Sequence, residues 1–221
     1  QLIYSYKNQT CLDAEQRTSA NRQNDKDIIE PDSNNEYDAF LKYAKSNPKN
    51  CVFLVDTFDT IYNGMDIGFA MDPTRLVRCY FNPNRLDLYI FIEYSTTHNR
   101  SAIIYNQIFN ERKLLTNEDM LICDPGGGGL FVIADFRAFG SHTRAADKGP
   151  GSVEYGIKWL QGLNHIYIDK KHCPDTWKEF VEYEYEQDKD GNFISAYPDE
   201  NNHSIDAVRY AMQKYANKKG N

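Results

Sequence analysis

The sequence predicts an α/β fold in which a mixed central sheet is flanked by helices. Three observations favour this class. Strand-like segments separated by turns fill residues 63–96, helical segments alternate with short apolar strands after them, and 41% of the residues are hydrophobic, enough for a sizeable core. No run approaches a membrane span, and the first ten residues do not resemble a signal peptide, so we expect a soluble, intracellular protein.

The first part of this region predicts a three-stranded antiparallel meander. Its strands lie in the segments GMDIGFAM, TRLVRCYFN and LDLYIFIEYST, and Pro83-Asn84 supplies a turn. Apolar residues then recur at helical spacing in SAIIYNQIFNERKLL, which predicts a helix. A short strand, DMLICD, follows and ends at Asp124.

The remaining segments predict four helices and one strand. After the glycine run 126–129, IADFRAFG predicts a short helix closed by Gly140, and SVEYGIKWLQGL predicts a helix capped by Ser152. HIYID predicts a strand, and PDTWKEFVEYEYEQD and HSIDAVRYAMQKYANKK predict the last two helices. The glycine run is not expected to open a helix, and no GK[ST] follows it, so a P-loop is not predicted.

The chain divides into an N-terminal appendage, residues 1–61, and a second unit, residues 62–221. Residues 1 to about 36 are polar without a sustained helical or strand period, so we expect them to be loosely ordered. EYDAFLKYAKSN then predicts a helix and CVFLVDTFDT a buried strand.

Charge and cysteine content limit the classes of function. The formal charge of −7 argues against a protein that coats DNA, although carboxylates offset by bound cations would be compatible with an enzyme that acts on DNA. The five cysteines are odd in number and never form a CxxC pair, so free thiols are expected rather than a disulfide framework or zinc site.

Three aspartates are candidate metal ligands. Asp66 lies within a predicted central strand, where a charge is costly unless it is paired or bound to metal, and Asp124 ends a predicted apolar strand. Asp206 lies in the first turns of the last helix, where the helix dipole offers a structural explanation and Asn202 and His203 could be caps. An ordinary loop start is the structural explanation for Asp124. Together, such carboxylates can converge to hold two divalent ions.

Two further acids are less distinctive. Glu93, near the end of the third meander strand, is a possible fourth ligand or an orienter of metal-bound water, and a solvent-facing edge residue is the alternative. Asp72 precedes Pro73 and is better explained as a turn initiator than as a ligand.

Several segments resemble, in the same order, the nuclease domain of phage terminase large subunits. They are GMDIGFAMDPTRLVR, LYIFIEYS, LICD, ADKGPGSVEYGIKWLQ and DGNFISAYPDENNHSIDAVRYAM. The resemblance implies a ribonuclease-H-like fold that cuts concatemeric viral DNA in the host cytoplasm during genome packaging. It also implies that Asp66, Asp124 and Asp206 are catalytic and bind two Mg²⁺ or Mn²⁺ ions.

The resemblance further implies that double-stranded DNA is the substrate, that portal and small terminase subunit are possible partners, and that no membrane is involved. Lys148 in the KGPGS segment, with Arg137, His142 and Arg144, could form a basic rim that grips DNA phosphate. Residues 170–172 form a second small basic cluster. For any one of these residues, solvated surface charge is the alternative.

The chain departs from the family beside Asp124. The family usually continues with a small and an acidic residue, whereas here the sequence is DPGGGGLFV. Four glycines would give a mobile backbone that works against a preorganised metal site. Two hypotheses therefore stand, a metal-dependent endonuclease and a noncatalytic DNA- or portal-docking module with the same fold. No GxxxxGK[ST] motif occurs, so we do not expect the packaging ATPase in this chain.

The segment 36–60 resembles nicotinate phosphoribosyltransferases, which contain a similar LVDTYDT-like strand. Because this segment is too short to build their barrel, Asp56 and Asp59 are interpreted as strand and turn residues, and a composite origin of the chain is one interpretation of the two resemblances. A nicotinate-ribosylating enzyme is the third and weakest hypothesis.

Overall fold

The computed structural model describes residues 9–11, 58–69, 72–97, 100–185, 197–198 and 200–216. The predicted helix before Pro48, most of the predicted strand 51–60 with Asp56, and the DKDGN turn lie outside these residues.

Within the described residues, seven strands form one mixed sheet. They are β1 Gln9–Cys11, β2 Ile61–Asp66, β3 Thr74–Asn82, β4 Asp87–Thr96, β5 Met120–Cys123, β6 His142–Ala145 and β7 His165–Ile168. Their order across the sheet is β1-β7-β4-β3-β2-β5-β6. The antiparallel centre β4-β3-β2 confirms the predicted meander, and parallel strands extend it on both sides. The edge strand β1 is the only described part of residues 1–36, so the expectation that this segment is loosely ordered stays a prediction.

Helices cover the sheet. They are α1 Ser101–Tyr105, which continues as a π-helical turn Asn106–Glu111, α2 Gly129–Ala138, α3 Ser152–Gln161, α4 Pro174–Glu182, α5 His203–Ala211 and α6 Gln213–Ala216. Among the described residues, no helix is both long and apolar enough to cross a membrane.

Alternate residues of β3 point to opposite faces of the sheet, so the core has two layers. Val77 and Cys79 belong to a buried cluster that includes residues of α3, α4 and α5. Leu76 belongs to a second buried cluster with Ile104 of α1 and Phe136 of α2. Helices therefore flank both faces of the sheet, as expected for the predicted α/β class.

Helix α5 packs directly on β2, and Gly64 makes this approach possible. A Cβ atom at Gly64 would lie 1.9 Å from the carbonyl oxygen of Ala207 and 2.6 Å from the backbone nitrogen of Ala211. Only glycine fits such a contact without displacing the helix.

Two predicted helix starts differ from the structure. Helix α2 begins at Gly129, within the glycine run, because Gly128 adopts a φ of 94° immediately before it. Gly151, with a φ of 78°, precedes α3, so Ser152 is the first helical residue and not the cap. Glycine adopts this left-handed conformation at little cost, which explains both starts.

Cys79, Cys123 and Cys173 are buried thiols outside any disulfide, which confirms the expectation for these three residues.

Candidate functional site

Asp66 comes directly after Met65, and Asp124 comes directly after Cys123. These two preceding residues pair with each other in the adjacent parallel strands β2 and β5. Met65 of β2 pairs with Cys123 of β5, and the backbone N–H of Asp124 donates to the carbonyl oxygen of Met65 at 2.9 Å. Asp66 is thus the last residue of β2, not a mid-strand residue as predicted. Both aspartates are buried, at the carboxyl ends of the strands where α/β proteins commonly place functional groups.

Asp206 joins these two carboxylates from the first turn of α5. Burial raises the pKa of Asp206, and the negative charge of Asp66 raises it further. Burial likewise raises the pKa of Asp66, with an added contribution from the charge of Asp124. Asp66 is therefore close enough to both other aspartates to influence their charges, and their role as shared metal ligands stays a prediction.

A basic side chain is paired with each carboxylate of the two strands. Lys148 Nζ donates to Asp124 Oδ1 at 2.7 Å, and His203 Nδ1 lies 2.9 Å from Asp66 Oδ2. Each contact uses one oxygen of its carboxylate. Lys148, and His203 when it is protonated, offset the repulsion between the aspartates, which a cluster of buried carboxylates requires.

Arg209 pairs with Asp206 one helical turn along α5, again through one carboxylate oxygen. The guanidinium is buried against α3, where a Cβ at Gly156 would lie only 2.6 Å from Arg209 Nε. Tyr210 Oη lies 3.5 Å from the second oxygen of Asp206. Burial and the charges of the aspartates raise the pKa of Tyr210 well above its ordinary value, so its phenol stays neutral.

His203 belongs to the site, whereas the sequence suggested only a helix cap. Its hydrogen bond with Asp66 raises the pKa of His203, burial lowers it, and the charges of Asp66, Glu179 and Asp72 raise it. Asp72 is therefore close enough to influence the site electrostatically. The signal for His203 was its spacing three residues before Asp206, which puts both side chains on one side of a helix.

Glu179 of α4 caps the N-terminus of α5. Its Oε2 accepts the backbone N–H of Ser204 at 2.6 Å and that of Ile205 at 3.4 Å, so neither Asn202 nor His203 provides the cap suggested by the sequence. Burial raises the pKa of Glu179 to about 7. Sequence reasoning missed Glu179 because its partners lie far along the chain.

The glycine run forms a hydrogen-bonded turn around Asp124. Gly126 donates its N–H to Asp124 Oδ1 at 2.8 Å, and Gly129 donates to the Gly126 carbonyl at 2.7 Å. A Cβ at Gly129 would lie 2.0 Å from the Asp124 carbonyl oxygen, and Gly128 has a positive φ. Close contacts thus require glycine at 128 and 129, and Gly126 binds the carboxylate, while the expectation that the glycine run makes this backbone mobile stays a prediction.

Glu93 contacts the start of helix α4 instead of the three aspartates. Its two carboxylate oxygens accept the backbone N–H groups of Asp175 at 3.0 Å and Thr176 at 2.8 Å, at the start of α4. Burial raises the pKa of Glu93. Within the part of the chain that the structure describes, no hydrogen bond or ion pair joins Glu93 to the three aspartates. We therefore leave Glu93 out of the proposed ligand set.

The predicted basic rim is only partly assembled at the carboxylates. Lys148 contacts Asp124, whereas Arg137 donates from Nε to the Thr143 carbonyl at 2.7 Å and so ties α2 to β6. Arg144 and His142 are exposed on β6, the strand at one edge of the sheet. In the second basic cluster, Lys170 Nζ lies 3.6 Å from the centre of the Trp177 ring.

The donor set suits a hard divalent cation, although the present arrangement is filled by basic side chains. Carboxylate oxygens are the ligands that Mg²⁺ and Mn²⁺ prefer. Over the described ranges, no group of three or more His, Cys, Asp or Glu side chains is arranged to hold an ion. A cavity of about 430 Å³ lies elsewhere, beside α4, and is lined by Arg75, Glu179 and Tyr183 among others.

Comparison with known proteins finds that this chain is similar to terminase large subunits. Residues 129–214 match the family model described as the terminase RNase H-like domain. The chain is 30% identical over 169 residues to the terminase large subunit of Bacillus phage SPP1, covering 75% of this chain and 39% of that protein. It is 26% identical over 155 residues to the PBSX phage terminase large subunit of Bacillus subtilis strain 168, covering 69% and 34%. The chain thus spans less than half the length of these relatives.

Solved structures agree with the fold. The nuclease domain of the SPP1 large terminase with bound Mn superposes with a TM-score of 0.65 at 29% identity, covering 73% of this chain and 90% of that one. The P22 large terminase nuclease domain gives a TM-score of 0.51 at 19% identity, covering 71% and 82%. The predicted ribonuclease-H-like fold is confirmed.

Proposed function

We propose that this chain, which carries the RNase H-like nuclease domain of the phage terminase large subunit family, cleaves DNA as a divalent-metal-dependent endodeoxyribonuclease. The convergence of Asp66, Asp124 and Asp206 at one end of the sheet carries the proposal. The similar SPP1 nuclease domain, which was solved with bound Mn, supports it.

The three aspartates would hold two Mg²⁺ or Mn²⁺ ions, with one oxygen of each carboxylate outside its present ion pair. When bound, such ions supply a water-derived nucleophile and stabilise charge on the phosphate. The protein's own contribution is a preorganised set of carboxylates held by two strand ends and one helix.

The three basic partners would act differently during catalysis. Lys148 has a side chain that is 39% exposed, so it can leave Asp124 and contact a DNA phosphate. Arg209, whose side chain is only 4% exposed, remains in place and orients Asp206. His203 orients Asp66 through its imidazole, and its raised pKa favours the charged form.

The proposed substrate is double-stranded concatemeric DNA during viral genome packaging, and portal and small terminase subunit are proposed partners. These assignments rest on the family and not on contacts within the chain. The alternative is a noncatalytic DNA- or portal-docking module. The two functions differ in whether DNA is cut or only bound.

Plasmid cleavage tests the proposal. Supercoiled plasmid is incubated with the protein in Mn²⁺, Mg²⁺ or EDTA, and nicked and linear products are measured on a gel. We expect cleavage with either metal and none in EDTA, loss of cleavage in Asp66→Asn, Asp124→Asn and Asp206→Asn, and wild-type cleavage in Glu118→Gln, which changes an exposed acid in a turn before β5. Cleavage that survives all three Asp→Asn changes would reject these residues, and DNA binding without cleavage would favour the docking module.

A further inference from the structure

Two phenylalanines are exposed beside the turn that holds Asp124. Phe69, three residues after Asp66, is 61% exposed, and Phe131, in the first turn of α2, is 80% exposed. In the described part of the chain no large apolar side chain is more exposed than Phe131. Large apolar groups exposed close together commonly mark a binding surface.

Phe69 lies against the same turn that binds the Asp124 carboxylate. A Cβ at Gly128 would lie 2.7 Å from Phe69 Cε2, and a Cβ at the next residue, Gly129, would lie 2.0 Å from the Asp124 carbonyl oxygen. Two consecutive glycines thus contact the ring on one side and the candidate ligand on the other. Phe131 follows directly, since its N–H donates to the Gly128 carbonyl at 3.0 Å.

We propose that Phe69 and Phe131 form an aromatic rim that contacts the sugars and bases of DNA beside the cleaved phosphate and positions the strand. This inference rests on the proposed function. Because successive phosphates of one strand rise only about 3.4 Å along the helix axis, a phosphate at the carboxylates brings its neighbouring nucleotides to the rim. Phenylalanine side chains bind DNA by stacking on bases or by wedging between base steps.

The position of the rim favours DNA over a protein partner. It borders the carboxylates, and on the other side of the turn Lys148 supplies a positive charge, with Nζ 3.5 Å from a Cβ built at Gly126. A nucleic acid strand could therefore contact a cation and apolar rings at the same time. Neither ring is needed to complete the core, because Phe69 and Phe131 both remain mostly exposed.

The two kinds of contact differ in their dependence on salt. A lysine that binds phosphate releases counterions, so its removal lowers the slope of log affinity against log salt by about one. An aromatic ring that contacts DNA releases no counterions. The loss of a rim residue should therefore weaken DNA binding by the same factor at low and high salt.

Fluorescence anisotropy with a labelled DNA duplex tests the rim. Binding is measured in Ca²⁺, under conditions in which the label stays on intact DNA, at several salt concentrations. We expect Phe69→Ala and Phe131→Ala each to weaken binding at least about fivefold with an unchanged salt slope. Phe69→Tyr should bind like wild type. The matched control is Leu86→Ala, which removes a 41% exposed apolar side chain from the β3–β4 turn, at the opposite end of the sheet from Asp66, and should have no effect.

Thermal melts of each variant establish that the exposed substitutions leave the fold intact. Wild-type affinity in both alanine variants would overturn the rim and favour a protein partner for this surface. The plasmid assay separates this result from the proposed function. If wild type cleaves DNA while the rim variants bind normally, only the rim is rejected; if wild type binds through the rim without cleaving in any metal, the rim stands and the nuclease activity is rejected.

Discussion

Asp66 is the last residue of β2 and Asp124 directly follows the neighbouring parallel strand β5, each one residue beyond the paired Met65 and Cys123. This register brings together two carboxylates separated by more than fifty residues in sequence, and α5 adds Asp206. Because the site depends on how two strands and one helix meet, changes in their packing should affect it as strongly as changes in the ligands themselves.

The substitution Gly64→Ala should disrupt the packing of α5 on β2. The added Cβ would lie 1.9 Å from the Ala207 carbonyl oxygen, which is backbone and cannot move without the helix. We expect the free energy of unfolding to fall by about 3 kcal/mol in urea titrations, as for other overpacked cores. Gly149→Ala is the control, because a Cβ there meets nothing within 4 Å. Equal stability of the two variants would contradict the close packing.

The substitution Gly129→Ala should disrupt the turn around Asp124. A Cβ at this position would lie 2.0 Å from the Asp124 carbonyl oxygen, so the start of α2 must move away from the ligand. We expect weaker Mn²⁺ binding, measured by isothermal titration calorimetry, and a loss of plasmid cleavage. Gly149→Ala again serves as the control. Unchanged Mn²⁺ affinity in Gly129→Ala would show that the turn does not position the carboxylate.

Lys148 should contribute to DNA binding through its charge. In Lys148→Ala, binding of a labelled duplex should weaken, and the slope of log affinity against log salt should fall by about one. Lys113→Ala removes an exposed lysine in the loop after the π-helical turn, outside the rim and the carboxylate site, and should bind like wild type. A wild-type salt slope in Lys148→Ala would argue that this lysine only neutralises Asp124.

Glu179 should make stability depend on pH. Burial raises its pKa from 4.5 to about 7, so the folded protein holds this proton more tightly than the unfolded chain does. The resulting stability, on the order of 3 kcal/mol, is fully present below pH 4.5 and is lost as the pH rises through about 7. Glu179→Gln stays neutral and keeps an acceptor for the Ser204 N–H, so its stability should fall less over this interval.

Urea unfolding at pH values from 4.5 to 8 measures this difference. Glu182→Gln, an exposed change on the same helix, should follow the wild-type profile. If Glu179→Gln loses stability with pH as steeply as wild type, burial does not raise the pKa of Glu179 as described.

Much of this architecture could be predicted from local patterns. Strand-like apolar segments separated by a turn indicated β3 and β4, and the motifs around Asp66, Asp124 and Asp206 indicated the family and the candidate ligands. The start of α2 could not be predicted, because a glycine run favours a turn locally, whereas here Gly128 takes a positive φ and the helix begins directly after it.

The partners of the carboxylates were also beyond local patterns. His203 and Lys148 reach Asp66 and Asp124 from distant parts of the chain, and Glu179 caps a helix that begins more than twenty residues later. Such contacts depend on tertiary packing, which sequence periodicity does not report. Glu93 shows the reverse case, since an acid at a strand end matched a ligand by type but caps α4.

The direct test of the proposed metal site is a crystal structure of the protein grown with Mn²⁺, with anomalous diffraction measured at the manganese edge. We predict two anomalous peaks about 3.5–4 Å apart, bound by Asp66, Asp124 and Asp206, with Lys148 Nζ moved away from Asp124. Saturating Mn²⁺ with no anomalous peak at these carboxylates, and with the three ion pairs intact, would contradict it.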